Sequence, residues 1–263
     1  MRPYLGEELT SMTKIIAIAN QKGGVGKTTT AVNLSACLAR MQKRVLLLDI
    51  DPQGNATSGI GIERGQIKRC IYDALINELP LAAIIKKSSV ENLTVAPASI
   101  QLAGAEIELV PTMSRELRLK KVLEDLPEPY DYIVVDCPPS LGLLTVNALT
   151  AARGVLVPIQ CEYYALEGLG QLVNTVELVK KHLNTNLRLE GVVMTMYDSR
   201  TNLSQQVVEE VKRHFGELVY ETIIPRNVRL SEAPSYGQSI LDYDPKSKGA
   251  EVYLKLAKEV MGR

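Results

Sequence analysis

Short apolar runs alternate along the chain with longer segments in which apolar residues recur at helical spacing. A short run bounded by polar or turn-forming residues is typical of a strand buried on both faces of a parallel sheet. Such runs predict strands at residues 15–19, 45–48, 93–96, 132–135, 154–159, 189–196 and 222–224. Strands that alternate with helices, without a linker, predict one α/β domain with a mostly parallel, twisted sheet flanked by helices.

The segments between these runs supply the predicted helices. They cover residues 28–41, 70–79, 81–87, 100–109, 113–126, 141–152, 166–183, 202–215 and 249–261. In the segment 202–215, Val207, Val208 and Val211 lie near helical spacing, and Asn202 is the candidate N-cap. Gly54, after the second strand, suits a mobile loop.

The strongest chemical signal is the stretch KIIAIANQKGGVGKTTT at residues 14–30. A buried strand runs into a glycine-rich turn, and residues suited to a helix follow from Lys27 onward. The glycines permit backbone angles closed to other residues and leave room for bound oxygens. Loop N–H groups and the helix N-terminus then point at an anion, Lys27 reaches the β- and γ-phosphates, and the Thr28 hydroxyl binds Mg²⁺. The sequence therefore predicts a nucleotide-binding P-loop.

This loop departs from the plain pattern G-x-x-x-x-G-K-[ST], because the first glycine would fall at Gln21. A second lysine, Lys22, opens the loop, and the run from Lys22 to Thr28 resembles the deviant Walker A motif. In that family the first lysine crosses a dimer interface to the partner's bound nucleotide. There it stabilises developing phosphate charge as an arginine finger does. A simple turn with a solvated Lys22 is the alternative, which GKT between a strand and a helix disfavours.

Carboxylates follow two of the predicted strands. Asp49 and Asp51 end the strand 45–48, and residues two apart on an extended chain share a face, here at the sheet edge where ligands bind. Pro52 keeps Asp51 out of a helix, and a turn-capping role is the alternative for Asp49. Asp136 ends a later apolar run, the Walker B arrangement that places a carboxylate near the metal.

Composition limits the remaining possibilities. The chain has 263 residues, is 46% hydrophobic, and carries 30 basic and 30 acidic residues. A net charge of zero gives no indication of nucleic-acid binding, so any DNA contact requires a local basic patch. The cysteines are far apart and form no CxxC pair, which is typical of reduced thiols. No apolar run approaches a membrane span, and residues 1–12 predict a loose tail rather than a signal peptide, so we expect a cytoplasmic protein.

The motifs KGGVGKTT, LLLDIDPQGNATSG, YDYIVVDCPPSLG, PIQCEYYALEGL and IPRNVRLSEAPSYG occur in this order along the chain. As a set they resemble the ParA/Soj-type chromosome- and plasmid-partitioning ATPases, over residues 13–262. The resemblance implies a P-loop ATPase domain at 13–263 that uses ATP and Mg²⁺ with weak basal activity. It also implies an ATP-bound sandwich homodimer that binds double-stranded DNA without sequence preference and associates with the nucleoid. A ParB/Spo0J-type centromere-binding partner stimulates hydrolysis and release.

The resemblance also assigns roles to residues. Nucleotide binding falls to Lys22, Gly23, Gly24, Val25, Gly26, Lys27, Thr28 and Thr29, with Pro225 and Asn227 holding adenine. Thr28 and Asp136 hold the metal, Asp136 through a bound water. Lys22, Lys27 and Asp51 serve catalysis, Asp51 by orienting or deprotonating the attacking water. The dimer interface is assigned, from the resemblance only, to Glu162, Tyr163 and Tyr164, with ordinary loop and helix-cap roles as the alternative.

DNA contact is assigned to Arg200 and Arg229, which match basic positions of relatives. Further basic residues extend this patch to a stripe or are scattered solvated side chains, namely Lys212, Arg213, Lys246 and Lys248. Such contacts go to phosphates and weaken with salt, and two-fold pairing doubles a small patch. Without a helix-turn-helix or zinc motif, we expect no base readout.

Other classes of P-loop protein remain as alternatives. A MinD-like membrane ATPase ends in a basic amphipathic helix, whereas GAEVYLKLAKEVMGR mixes acidic and basic residues, and its Val252, Leu256 and Val260 are expected to dock on the domain. A nitrogenase-iron-protein-like reductase requires paired cysteines, and Cys137 has no evident companion. A metabolic ligase or kinase requires a further set of residues that binds its substrate, and the sequence shows no such set. A DNA coat protein that never hydrolyses ATP is disfavoured by the presence of Asp51.

Overall fold

The computed structural model describes residues 13–162 and 169–263. Its strands are β1 (Lys14–Ile18), β2 (Val45–Asp49), β3 (Lys86–Lys87), β4 (Leu93–Ala96), β5 (Tyr132–Asp136), β6 (Gly154–Gln160), β7 (Arg188–Tyr197) and β8 (Val219–Pro225). They form one eight-stranded sheet in the order β3-β4-β2-β5-β1-β6-β7-β8. Every neighbouring pair is parallel except β3 and β4. The predicted α/β domain with a mostly parallel sheet is confirmed.

Helices cover both faces of this sheet. They are α1 (Lys27–Arg40), α2 (Asn55–Gly59), α3 (Ile71–Ile76), α4 (Leu102–Glu108), α5 (Arg118–Glu124), α6 (Leu143–Ala151), α7 (Leu169–His182), α8 (Asn202–Phe215), α9 (Val228–Glu232), α10 (Ile240–Tyr243) and α11 (Lys248–Gly262). None of the helices in the described part of the chain combines the length and apolar character needed to cross a bilayer.

Successive residues of each central strand serve opposite cores, as the two-residue period of a strand requires. In β1, Ile15 and Ala17 join a core with the apolar faces of α3 to α8. Ile16 and Ile18 point to the other core, which α1 and α11 cover. Since the central strands of this sheet are buried on both faces, continuous apolar runs in the sequence predict them correctly.

The C-terminal helix α11 belongs to the second core. Val252, Leu256 and Val260 are at most 5% exposed, which confirms the expectation that they dock on the domain. A hydrogen bond between the hydroxyls of Thr30 and Tyr253 joins α11 to α1, the helix that follows the P-loop. The apolar face that a membrane helix would offer to lipid is therefore occupied.

Several predicted elements differ from the structure. The helix predicted at 81–87 is wrong, because Leu81–Ala83 forms a single 3₁₀ turn and β3 then pairs with β4. The predicted helix 113–126 is divided into a 3₁₀ turn, Arg115–Leu117, and α5, after Ser114 takes a left-handed conformation at φ 54°. The N-cap of α8 is Thr201 rather than Asn202, and its hydroxyl accepts the Ser204 N–H.

Other predictions fall outside the described residues or were incomplete. Gly54, which was expected in a mobile loop, has φ 61° and is the N-cap residue of the short helix α2. The tail predicted at 1–12, and the interface residues Tyr163 and Tyr164, lie outside the described residues. The helix predicted at 166–183 is described only from Leu169 onward.

Candidate nucleotide-binding and catalytic site

The carboxyl ends of the parallel strands bring the predicted site residues to one edge of the sheet. The P-loop leaves β1 and enters α1 through Gly24 and Gly26, which have φ 74° and φ 89°. These left-handed angles strain any residue with a side chain, so glycine is required there. A Cβ added at Gly23 or Gly24 would meet no described atom within 4 Å outside the adjoining residues. No other part of the chain that the structure describes covers this side of the loop.

The two lysines of the loop have different environments. Lys27 is only 7% exposed, and its ammonium donates a hydrogen bond to the carbonyl of Lys22 at 2.9 Å. Burial lowers the pKa of Lys27, and the nearby Asp136 opposes that shift. The Lys22 ammonium is 3.7 Å from Glu162, and about a third of the Lys22 side chain is exposed. Lys27 is thus held inside the loop, while Lys22 faces outward.

Two carboxylates lie side by side in the core at this edge. Asp49 and Asp136 end neighbouring strands in register, and both are fully buried. Asp49 accepts hydrogen bonds from the N–H of Asp51 at 3.1 Å and from the N–H and hydroxyl of Thr57 at 2.8 and 2.6 Å. Burial raises the pKa of Asp49 to about 6, against these hydrogen bonds. Through these hydrogen bonds Asp49 holds the loop and α2 in place, which is the turn-capping role given above as the alternative for this residue.

Asp136 lacks such support. Neither of its buried oxygens has a hydrogen-bond partner of good geometry among the described residues. Burial raises its pKa well above the ordinary value, Asp49 adds to the shift, and the Thr28 side chain opposes it. A buried carboxylate without a partner is costly, and a cation relieves that cost. The hard oxygen donors of Thr28 and Asp136 suit Mg²⁺, so the predicted metal residues fit that ion.

Asp51 lies in the loop that joins β2 to α2. It is 7% exposed, and one carboxylate oxygen accepts the N–H of Gln53 at 2.9 Å. The electrostatic influence of Asp51 reaches both Lys27 and Asp136. The structure therefore brings Asp51 close to the residues that are predicted to hold phosphate and metal.

A pocket of about 260 Å³ opens beside the P-loop. Gly26 and Thr29 line one side, and Pro225 and Asn227 line the other. The Asn227 side chain also caps α9 by accepting the N–H of Arg229 at 2.9 Å. The predicted adenine residues thus share a pocket with the phosphate loop, and their contact with adenine stays a prediction.

Comparisons with known proteins agree with this geometry. The family model described as "AAA domain" matches residues 13–189. The sporulation initiation inhibitor protein Soj of Bacillus subtilis is 69% identical over 249 residues, 95% of this chain and 98% of the relative. The chromosome partitioning protein ParA of Myxococcus xanthus is 57% identical over 250 residues, 95% of this chain and 88% of the relative. The chain belongs to the Soj/ParA family of chromosome-partitioning ATPases.

A solved structure extends the likeness to a protein with another name. Cobyrinic acid a,c-diamide synthase from Mycobacterium smegmatis, with bound ADP and magnesium, is 39% identical with a TM-score of 0.84. The match covers 96% of this chain and 97% of that chain. In that relative, a fold similar to the one described here holds ADP and magnesium.

The arginines assigned to DNA contact already have acidic partners in this Soj/ParA chain. Arg200 is 84% exposed and makes two hydrogen bonds to Asp198, at 2.9 and 2.7 Å. Arg229 donates to Glu232 at 2.9 Å and lies 3.6 Å from Asp244. They follow neighbouring strands β7 and β8, so both lie at the site edge. The local patch is nevertheless close to neutral.

Sequence reasoning missed several residues that shape the site. Asn20 accepts the N–H of Lys22 at 3.0 Å and donates to the Pro158 carbonyl at 2.8 Å, which anchors the start of the P-loop. The buried hydroxyl of Thr195 donates to the carbonyl of Val25 at 2.9 Å. The contacts to Pro158 and from Thr195 join residues far apart in sequence, so no local motif predicts them.

Proposed function

We propose that this Soj/ParA chain is a nucleotide-switched partitioning ATPase whose ATP-bound homodimer binds duplex DNA without sequence preference. We further propose that a ParB/Spo0J-type partner stimulates hydrolysis and releases the DNA. The observation that carries the proposal is the buried Asp136, near Thr28 and Lys27 of the P-loop, whose oxygens have no hydrogen-bond partner of good geometry in the described part of the chain. ATP supplies the phosphoryl group for this reaction, and Mg²⁺ neutralises charge on its phosphates.

Each residue of the site has a distinct part in this proposal. The N–H groups of the P-loop and of the start of α1 bind phosphate oxygens, and Lys27 exchanges its contact with the Lys22 carbonyl for a phosphate. Thr28 and Asp136 hold the metal, the latter through water. Asp51 orients or deprotonates the attacking water, and the Gln53 N–H engages one of its two carboxylate oxygens.

The open surface of the P-loop supports a dimer that closes over the nucleotide. Among the described residues, none outside the adjoining loop lies within 4 Å of a Cβ placed at Gly23 or Gly24, which supports close approach of a second subunit to the phosphates. The partly exposed Lys22 side chain opens this loop, and among the described residues its ammonium pairs with the half-exposed Glu162 at 3.7 Å. An exposed pair of this kind contributes about 0–1 kcal/mol. The cost of moving Lys22 to the nucleotide of a partner subunit is therefore small.

DNA binding in this proposal depends on exchange of ion pairs. Arg200 and Arg229 are exposed and each pairs with a carboxylate at the surface, and ion pairs open to solvent are weak. A DNA phosphate is a competing anion, and its binding also releases counterions. A single subunit presents too few such groups for firm binding, so pairing of two subunits is required. This makes DNA affinity depend on ATP.

The MinD-like alternative finds no support in the C-terminal helix. A membrane-binding helix offers its apolar face to lipid. In α11 the residues of that face are buried against β8 and α1, and Glu259 accepts the N–H groups of Glu221 and Thr222 at 2.9 Å. Release of this helix would expose the core.

The test of the proposal is ATP turnover in the presence of each proposed partner. We expect slow hydrolysis by the protein alone and clear stimulation when random-sequence duplex DNA and the ParB/Spo0J-type protein are both present. Lys27→Ala, which removes the buried ammonium, is the inactive control. Fast turnover without any partner, or turnover that neither addition changes, would argue against a partner-controlled switch.

A further inference from the structure

The end of β7 contacts the P-loop through one buried side chain. Thr195 is 1% exposed, and its hydroxyl donates to the carbonyl of Val25 at 2.9 Å. Its methyl carbon lies 3.7 Å from the position that a side chain on Gly26 would occupy. Thr195 therefore bonds to Val25 and lies beside Gly26, the two residues whose peptide unit leads into α1.

Peptide geometry gives this contact a consequence at the phosphate site. The carbonyl of Val25 and the N–H of Gly26 belong to one planar trans peptide, in which the two groups point in opposite directions. Because the Thr195 hydroxyl holds the carbonyl on the β7 side, the Gly26 N–H is directed away from β7. Gly26 needs its left-handed conformation, φ 89°, to turn from this peptide into the helix. The hydroxyl thus fixes the orientation of a P-loop N–H group.

The residues that follow Thr195 connect other parts of the same site. The Thr195 carbonyl accepts the N–H of Cys161 at 3.0 Å, next to Glu162, which pairs with Lys22. Met196 takes a left-handed conformation at φ 52° and lines the pocket beside the P-loop. A non-glycine residue with this φ is uncommon, and such strain collects at functional sites. The Tyr197 carbonyl accepts the N–H of Arg226, which follows Pro225 at the end of β8, at 3.0 Å.

We infer that Thr195 is a positioning residue for the phosphate loop, acting through the Val25–Gly26 peptide. The inference rests on the proposed function, since it concerns the affinity of the same site for a nucleoside triphosphate. With the hydroxyl present, the Gly26 N–H is oriented before the nucleotide binds. Without it, the peptide is free to rotate, and binding has to order it.

The test compares two variants of Thr195 in titrations with a fluorescent ATP analogue and Mg²⁺. Thr195→Val keeps the shape and removes the hydroxyl, and we expect its dissociation constant to rise about fivefold to tenfold, as loss of one buried hydrogen bond predicts. Thr195→Ser keeps the hydroxyl, and we expect an affinity within about twofold of wild type. Each titration is run well below the melting temperature of that variant, so that folded protein is compared with folded protein.

Thr150→Val is the matched control. Thr150 is also 1% exposed, and its hydroxyl donates to the Val146 carbonyl at 2.8 Å within α6. We expect this change to affect thermal stability and leave nucleotide affinity as in wild type. Wild-type affinity in Thr195→Val, or equal weakening in Thr195→Val and Thr195→Ser, would overturn the role of the hydroxyl. Wild-type protein that binds no ATP would instead overturn the proposed function, and the inference with it.

Discussion

Burial divides the work of the two P-loop lysines at the scale of single residues. Lys27 is enclosed, and its ammonium already bridges the loop by donating to the Lys22 carbonyl. Lys22 contributes that carbonyl through its backbone, while its side chain is only paired with Glu162 at the surface. Removal of the Lys22 side chain therefore leaves the loop scaffold intact. Removal of the Lys27 side chain does not.

We predict that Lys22→Ala binds ATP with an affinity close to that of wild type and fails to dimerise. Its partner-stimulated turnover should fall by about 10³-fold, the scale of a missing arginine finger. Light scattering coupled to gel filtration, with ATP in the column buffer, measures the dimer. Lys68→Ala, a change of an exposed lysine outside the loop, should dimerise normally. An ATP-bound dimer of Lys22→Ala would contradict the role of this lysine across the interface.

We predict that Asp51→Ala binds ATP, dimerises, and remains bound to DNA because the attacking water is no longer held. Among the described residues the Asp51 side chain accepts one hydrogen bond, from the Gln53 N–H, so its loss should leave the fold in place. Single-turnover hydrolysis and the lifetime of the DNA complex measure the effect. Lys27→Ala should stay monomeric in the same assay. An Asp51→Ala protein that stays monomeric with ATP would count against the switch.

The sequence placed most of the residues at this site because each lies in a local motif. The glycine loop, Lys27 and Asp136 are recognisable from their positions next to strands. For Asp49 the sequence predicted turn capping only as an alternative, because that role depends on Thr57, which donates to Asp49 from α2. The contribution of Thr195 could not be predicted, because its partner Val25 is far away in sequence.

At the scale of secondary structure, α11 is fixed to the edge of the sheet by charged side chains. The Arg263 guanidinium donates to the carbonyls of Glu190 at 3.0 Å and Glu217 at 2.9 Å, and lies 4.0 Å from the centre of the Tyr220 ring. Glu259 satisfies N–H groups of β8. These contacts protect the edge strand β8 and hold the helix against the core.

We predict that Arg263→Ala lowers the free energy of unfolding by about 1–2 kcal/mol, from lost hydrogen bonds and the lost cation–π contact. For a chain of this length the melting temperature should fall by about 2–8 °C, measured by circular dichroism. Lys258→Ala changes an exposed residue of the same helix and should melt as wild type does. Equal melting temperatures for Arg263→Ala and wild type would show that these contacts do not hold α11.

Sequence patterns located long elements well and short ones poorly. Strands β4 and β5 were predicted because each consists of a run of mainly apolar residues, as packing on both faces of the sheet requires. The two-residue strand β3 is specified by its pairing with β4 rather than by its own sequence. The helix predicted there failed because apolar residues in a short segment suit either structure. The N-cap of α8 was misplaced by one residue, since Thr201 and Asn202 are both good capping residues.

At the scale of the whole molecule, the reactivity of the cysteine thiols gives an independent test of how tightly the fold is packed. All four are free and buried. Burial raises the pKa of Cys37 and of Cys161 from 9.0 to about 12, so the thiolate fraction of each at pH 8 falls by about 10³-fold. We predict that a thiol reagent labels the native protein very slowly and labels all four cysteines in guanidinium. A rapidly labelled thiol in the native protein would contradict this packing.

The central claim is that ATP controls the attachment of this protein to DNA. Retention on random-sequence duplex DNA should be measured with ATP, with ADP and without nucleotide, at low and raised salt, for wild type and Arg229→Ala. We predict retention with ATP only, weakened by salt and by the substitution, because phosphate contacts release counterions. Lys68→Ala serves as the charge-matched control and should behave as wild type. Equal retention in all nucleotide states, or none in any, would contradict the claim.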